Sequence, residues 1–253
     1  MNEEFYIGYL NKYPKKLARF IKIILASLIL MIAVIAWILA SQQRGFIEST
    51  YEYYQETEIT GFLISEPVPA IQIPLGTSVA GEQLLKTIPI VQFGKIGGAP
   101  LGREFDGEWV TAKGFLIYYD GRTLIEISNP ENLILTKDKS NITSKPATRA
   151  EEKMEGTFQG EILDAKCYFG VMKPGHGKPH RSCAIRCISG GIPAVLHSKD
   201  PSGQVKYYLL NTTDFDMDRL LKFVGEPVVI QGEESRFHDW TILTINELAP
   251  KPM

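Results

Sequence analysis

Residues 164–193 read DAKCYFGVMKPGHGKPHRSCAIRCISGGIP. They hold all three cysteines of the chain (Cys167, Cys183, Cys187) and two of its four histidines (His176, His180). The spacing is C-x8-H-x3-H-x2-C-x3-C, and three chemistries fit it. Thiolates and imidazoles together suit a tetrahedral zinc site or a copper site, with Cys167, His176, His180, Cys183 and Cys187 as candidate ligands and Zn or Cu as the expected cofactor. A disulfide from Cys167 to Cys183 or Cys187 would brace the segment and leave one thiol over. A cysteine near a helix start, with His180 one turn away, is also a candidate redox or nucleophilic thiol. The pattern is neither a zinc finger nor a c-type haem site, and CxxC is absent. No complete catalytic set accompanies the cysteines, so the reading leans toward a non-enzyme.

These side chains need elements to hold them. Pro179 suits a first helical turn and Gly190-Gly191 a helix end. A helix between them places His180, Cys183 and Cys187 at i, i+3 and i+7, on one face. Cys167 is expected from the end of the preceding strand. His176 falls in a Gly/Pro-rich loop, 173–178, able to fold over the site. The lysines and arginines around the cysteines read as a solvated basic rim.

The first fifty residues set an address. Residues 23–40 carry no charge and no proline, and eighteen residues of helix rise about 27 Å, close to a bilayer's hydrocarbon thickness. Lys12, Lys15, Lys16, Arg19 and Lys22 precede the run and only Arg44 follows closely. That asymmetry predicts a single span over 20–41, with the N-terminus cytoplasmic and the rest periplasmic or extracellular at the inner membrane. A cleaved signal peptide is the competing reading. The run is longer than a signal core, and the exit at Ser41-Gln42-Gln43-Arg44 offers no convincing cleavage site. Phe5, Tyr6, Tyr9 and Tyr13 suggest an interfacial foot on the cytoplasmic face.

Beyond the span the chain repeats itself. Residues 105–127 align without a gap on 223–245: Phe105, Gly107, Glu108, Gly114, Thr123 and Ile127 fall on Phe223, Gly225, Glu226, Gly232, Thr241 and Ile245. Two further echoes pair 59–64 with 158–163 and 95–100 with 188–193. Short alternating strands, turns and strand glycines point to small barrels. A short helix near 214–223, with Asp214 as a possible cap, precedes the fourth strand of the second copy, as in a partly open Greek-key barrel of the OB type. The expected fold is mainly β: one N-terminal transmembrane helix followed by two small OB-like β-barrel domains. The expected organisation is a cytoplasmic segment 1–19, the helix 20–41, a linker 42–58, a first barrel 59–136, a polar linker 137–154 and a second barrel 155–250.

The second half also resembles small exported bacterial OB-type domains of uncertain function. The matching residues are Gly160, Ile162, Asp164, Lys166, Cys167, His180, Cys183, Cys187, Gly191, Pro193, Tyr208, Leu210, Gly225, Val228 and Gly232. The resemblance implies a fold and no reaction.

A net charge of -2 offers no electrostatic case for nucleic acid, so none is expected as a partner. The expected partners are the lipid bilayer, through residues 20–41, and other membrane-protein subunits. The expected function is an outward-facing tandem-barrel accessory module with a metal-binding or disulfide-braced Cys/His site. The alternative is a metal- or thiol-dependent redox protein using the same residues.

Overall fold

The computed structural model describes residues 15–42, 48–79, 81, 83–136, 153–200 and 202–252. They form two units, divided after Phe46.

The first unit contributes one helix, α1 (Lys15–Gln42). It is one helix long and apolar enough to cross a membrane, and a signal sequence would pass the same test of length and composition. It extends the expected span by about a turn at its basic start. The expected interfacial foot, Phe5 to Tyr13, lies outside the described residues.

The second unit holds two closed barrels of one topology. The first contains β1 (Thr50–Ile64), β2 (Ala70–Thr77), β3 (Gln83–Gln92), α2 (Ala99–Glu104), β4 (Trp109–Tyr119) and β5 (Arg122–Ile127). A short tail strand, β6 (Leu133–Leu135), pairs with β4. β1 pairs with β2, β2 with β3, β3 in parallel with β5, β5 with β4, and β4 back to β1. The second contains β7 (Met154–Asp164), α3 (Ala165–Phe169), α4 (Gly177–Ser189), β8 (Ala194–Lys199), β9 (Val205–Asn211), α5 (Met217–Phe223), β10 (Pro227–Phe237) and β11 (Trp240–Pro250). Its ring is β7–β8–β9–β11–β10–β7, again with the third and fifth strands parallel. A helix precedes the fourth strand in both. This order is that of the OB barrel, as expected.

The duplication is written in the backbone. Gly107 and Gly225, and Asp120 and His238, all hold positive φ at aligned positions. At Gly114 an added Cβ would lie 2.3 Å from the Glu126 carbonyl oxygen; at Gly232 it would lie 2.2 Å from that of Thr244, the aligned residue. Neither site admits a side chain, which is why both copies keep glycine. Gly61 and Gly160 make the same close approach in the first strand of each ring.

Three expectations need correction. The linker over 42–58 is shorter, because β1 begins at Thr50 and pairs with β4 from Thr50↔Tyr118 onward. Its outer half is largely exposed on both faces, so it lacks the apolar alternation that marks a half-buried strand. α5 is capped by Asp216, whose carboxylate accepts from the amides of Asp218 and Arg219, rather than by Asp214. The echo of 95–100 in 188–193 is not an equivalence. The former leads from β3 into α2, and the latter from α4 into β8. The two segments instead touch: the Gly97 amide donates to the Gly190 carbonyl at 2.9 Å. Of the polar linker expected over 137–154, residues 137–152 lie outside the described residues, and Met154 already belongs to β7.

Each barrel has its own core, around Leu63, Ile71, Ile90 and Ile125 in the first and Ile162, Leu196, Ile230 and Leu243 in the second. A third core joins them. Val91, Ile117 and Leu124 of the first barrel pack with Leu163, Phe169, Tyr207, Trp240 and Ile242 of the second. Trp240 is buried there, donating its indole N–H to the Thr87 carbonyl at 3.0 Å beneath the Arg122 guanidinium, 4.9 Å above its ring. Asp239 adds a 2.8 Å acceptor to the Thr87 amide. Cys167 and Cys187 belong to this same joint core.

Candidate metal centre

The connection between the first two strands separates the two rings. In the first barrel it is five residues, 65–69. In the second it is 29 residues, 165–193, and it contains α3, α4 and every cysteine. The site is built from this enlargement.

β7 ends at Asp164, which is fully buried and turns the chain into α3. Its Oδ1 accepts from the Cys167 amide at 2.8 Å, a helix cap that fixes Cys167 in the first turn. Cys167 therefore sits on a short helix, where the end of a strand was expected. Oδ2 of the same carboxylate lies 2.9 Å from Nε2 of His180, which is buried on α4. Burial alone would raise the Asp164 carboxyl, but the hydrogen bonds from His180 and the Cys167 amide outweigh it and hold it below the usual range. Asp164 thus orients two candidate ligands at once.

α4 carries the rest. Pro179 lies in its first turn, and Gly191 takes positive φ just past its end, with the Ile192 amide returning to the Cys187 carbonyl at 3.0 Å. His180, Cys183 and Cys187 share the face turned toward α3. Cys167 Sγ stands 3.9 Å from Cys183 Sγ and 3.8 Å from Cys187 Sγ. Ligand atoms of Cys167, His180 and Cys183 lie within 4.8 Å of one another, and so do those of Asp164, Cys167 and Cys187. The three cysteines are free thiols, unlinked by any disulfide.

These separations match a tetrahedral metal. Two thiolates bonded to zinc at about 2.3 Å subtend an S···S edge of about 3.8 Å. Cys167, His180, Cys183 and Cys187 are close enough together to hold a metal ion. His176 is not drawn in. It stands exposed at the N-cap of α4.

The electrostatics come partly from the other barrel. Lys95, on the loop between β3 and α2, places Nζ 2.8 Å from Cys183 Sγ and 3.3 Å from Cys187 Sγ. The hydrogen bond to Cys183 raises its pKa further, so it stays an ammonium. The Cys187 thiol is lowered to about 7, first by the hydrogen bond with Cys167, then by Lys95, against the opposing effect of burial. Cys167 is pushed up, first by that same bond and then by burial.

Lys166, read from the sequence as part of a solvated rim, is a structural pin. Its ammonium pairs with the buried Glu126 carboxylate and donates to the carbonyls of Gln92 at 2.8 Å and Gly94 at 2.7 Å. Tyr51 donates to the other oxygen of Glu126 at 2.6 Å. Together they fix the loop that delivers Lys95. Neither Lys95 nor Glu126 carries a local sequence signal, since each meets the site only through the joint between barrels.

No family model matches the chain, and no curated protein does. Among solved structures it is similar to a deletion mutant of the single-stranded DNA binding protein from Thermus aquaticus, at 11% identity over 78% of this chain and 94% of that one, with a TM-score of 0.21. The expectation that nucleic acid is not a partner is corrected here: the similar structure is that of a single-stranded DNA binding protein. Low net charge was too weak a ground for that exclusion, since it averages over both barrels and ignores local basic surface. A TM-score this low carries no argument of its own for what the present chain binds. The OB assignment rests on the strand order of both rings.

Proposed function

We propose that this chain is a membrane-anchored metal-binding protein, with α1 as an uncleaved inner-membrane span and the paired barrels on the outer side. The second barrel holds a single thiophilic ion, zinc or copper, through Cys167, His180, Cys183 and Cys187, and the protein serves as a non-enzymatic accessory module. The basic residues before α1 support this orientation. One observation carries the metal reading: the sulfur separations of 3.8 and 3.9 Å, beside an imidazole already held by a buried carboxylate. A carboxylate on one ring nitrogen is the usual partner of a metal-bound histidine. With Nε2 committed to Asp164, Nδ1 is left as the ligating atom.

The test is metal analysis of the full-length protein in detergent, with a parallel thiol count. The expected result is one equivalent of metal, absent from Cys183→Ser. A metal-free protein with three reactive thiols, or a disulfide with one, would sink the proposal. The resemblance to exported OB-type domains agrees with the outward placement.

A further inference from the structure

Large apolar side chains stand in water around the start of β1. Tyr53, Tyr54 and Tyr118 of the first barrel and Val171 and Met172 of the second are all exposed, Tyr54 almost entirely, at 97%. One irregularity puts two of them there. β1 leaves its register with β4 between Tyr51↔Ile117 and Glu56↔Phe115, so residues 52–55 stand opposite Leu116 alone. This bulge carries Tyr53 and Tyr54 on its outside, their rings 5.2 Å apart, with Tyr53 5.5 Å from Phe115.

The second barrel reaches the same place. Tyr118 pairs with Thr50, and Tyr119 sets its ring 6.3 Å from that of Tyr168 on α3. Ser49 donates its hydroxyl to the carbonyl of Gly170, the residue that ends α3. Val171 and Met172 follow directly, beside the start of β1. Exposed apolar groups of both barrels thus gather where the chain enters them, and a gathering of this kind marks a contact surface. Its charges are engaged locally. Glu52 accepts from the Tyr118 hydroxyl at 3.0 Å, Glu56 pairs with Lys113 at 2.7 Å, and Lys173 turns back to the Tyr168 carbonyl at 3.0 Å. The face offers rings and apolar chains rather than a basic patch.

We propose that this face lies on the outer surface of the bilayer, with Tyr53, Tyr54 and Tyr118 in the headgroup layer and Val171 and Met172 turned toward the hydrocarbon. This rests on the membrane-anchor reading above. Seven residues carry the chain from Gln42, the end of α1, to Ser49, a reach of at most about 25 Å. The start of β1 is therefore tied close to the membrane, and the exposed side chains are those that border the tie. Tyrosine, with an apolar ring and a polar tip, is a side chain that collects at the headgroup level. Because no basic cluster accompanies the rings, the contact forms on uncharged lipid.

The experiment uses the full chain in nanodiscs of phosphatidylcholine, plain or brominated high on the acyl chains, with tryptophan emission as the readout. Bromine quenches an indole only on near contact. In wild type, Trp37 of α1 reports on the anchor. Reporters are then introduced singly in a Trp37→Phe background by Tyr54→Trp, Val171→Trp and Ile134→Trp, all at exposed positions, with Trp109 and Trp240 as a constant background. Ile134 lies on β6 opposite Thr111, toward the other end of β4 from Tyr118. The emission added by Tyr54→Trp and by Val171→Trp is expected to shift to the blue and to lose most of its strength in brominated discs. That added by Ile134→Trp is expected to keep its strength. Loss at only one of Tyr54→Trp and Val171→Trp, or at neither, overturns the proposal. Equal loss at all three also overturns it, because the barrels would then present no preferred face. A blue shift without quenching, in discs that hold two chains, overturns it in favour of a second copy as the occupant. An unquenched Trp37 sinks the anchor reading itself, a different result from a quenched Trp37 beside unquenched reporters.

Discussion

The two barrels share a strand order, a helix before the fourth strand, aligned left-handed residues and aligned strand glycines, yet only one of them holds reactive side chains. In the first, β1 reaches β2 through residues 65–69. In the second, the same connection swells into α3 and α4 and brings three sulfurs, an imidazole and a buried carboxylate to one place. A ring of this kind closes without the insertion, as the first barrel demonstrates. The cysteines are therefore not a requirement of the fold. The first barrel is not idle either, because its β3–α2 loop supplies Lys95 and its Glu126 anchors Lys166. One copy carries the site, and the other completes its charge.

The comparison can be broken most forcefully at the joint. Trp240 aligns with Arg122, and the two stack on each other across the barrels. Trp240→Ala is expected to cost about 3–5 kcal/mol and to lower the melting temperature sharply by calorimetry. A loss under about 1 kcal/mol would mean that the barrels do not depend on this contact.

The equivalence itself is tested by paired substitutions. Gly114→Ala and Gly232→Ala each force a Cβ into a neighbouring carbonyl, and each is expected to cost about 2–3 kcal/mol in denaturant titrations. A large cost at only one of the two would show that the copies have diverged at this bend.

Asp164→Asn sharpens the difference between the barrels. The amide oxygen still caps α3, so the fold should hold, but the carboxylate on His180 is lost. A 10–100-fold weaker metal affinity by chelator competition is expected. The same measurement on Ser65→Ala, in the short connection of the first barrel, should show no change.

The smallest effect is acidic. Burial first, then Lys199 and His176, holds the His197 imidazole down to about 4. Its unfolded value is about 6.5, so between these pH values the unfolded chain binds more protons than the folded one. His197 therefore contributes stability that is complete above about pH 6.5 and lost as pH falls toward 4. Thermal melts of His197→Gln between pH 7 and pH 5 should show a shallower decline than wild type. An identical slope would place the acid sensitivity elsewhere.

Much of this was legible in the residues. Glycines at forced close approaches (Gly114, Gly232) and at left-handed turns (Gly107, Gly225) cannot drift, so they betrayed the repeat and, with it, the barrels. Pro179 and Gly190-Gly191 bounded α4, and its i, i+3, i+7 spacing put His180, Cys183 and Cys187 on one face. What stayed hidden came from docking. Lys95 lies 88 residues from Cys183 in the chain, and no local pattern links them. Lys166 looked like any surface lysine, because its partners Glu126, Gln92 and Gly94 belong to the other barrel. The outer half of β1 escaped notice because it is wet on both faces. The match of 95–100 to 188–193 was misleading for a physical reason: both segments are glycine-rich so that they can press on each other.

The shared core has a practical corollary. Val91, Ile117 and Leu124 on one side and Phe169, Tyr207 and Trp240 on the other cover each other. Severing the chain between residues 137 and 152 and discarding the first barrel would leave a broad aromatic surface facing water, with the sulfurs at its edge. The smallest self-sufficient portable piece of this protein is accordingly the pair. A second barrel transplanted alone should be sticky and oxidation-prone, even with every candidate ligand in place.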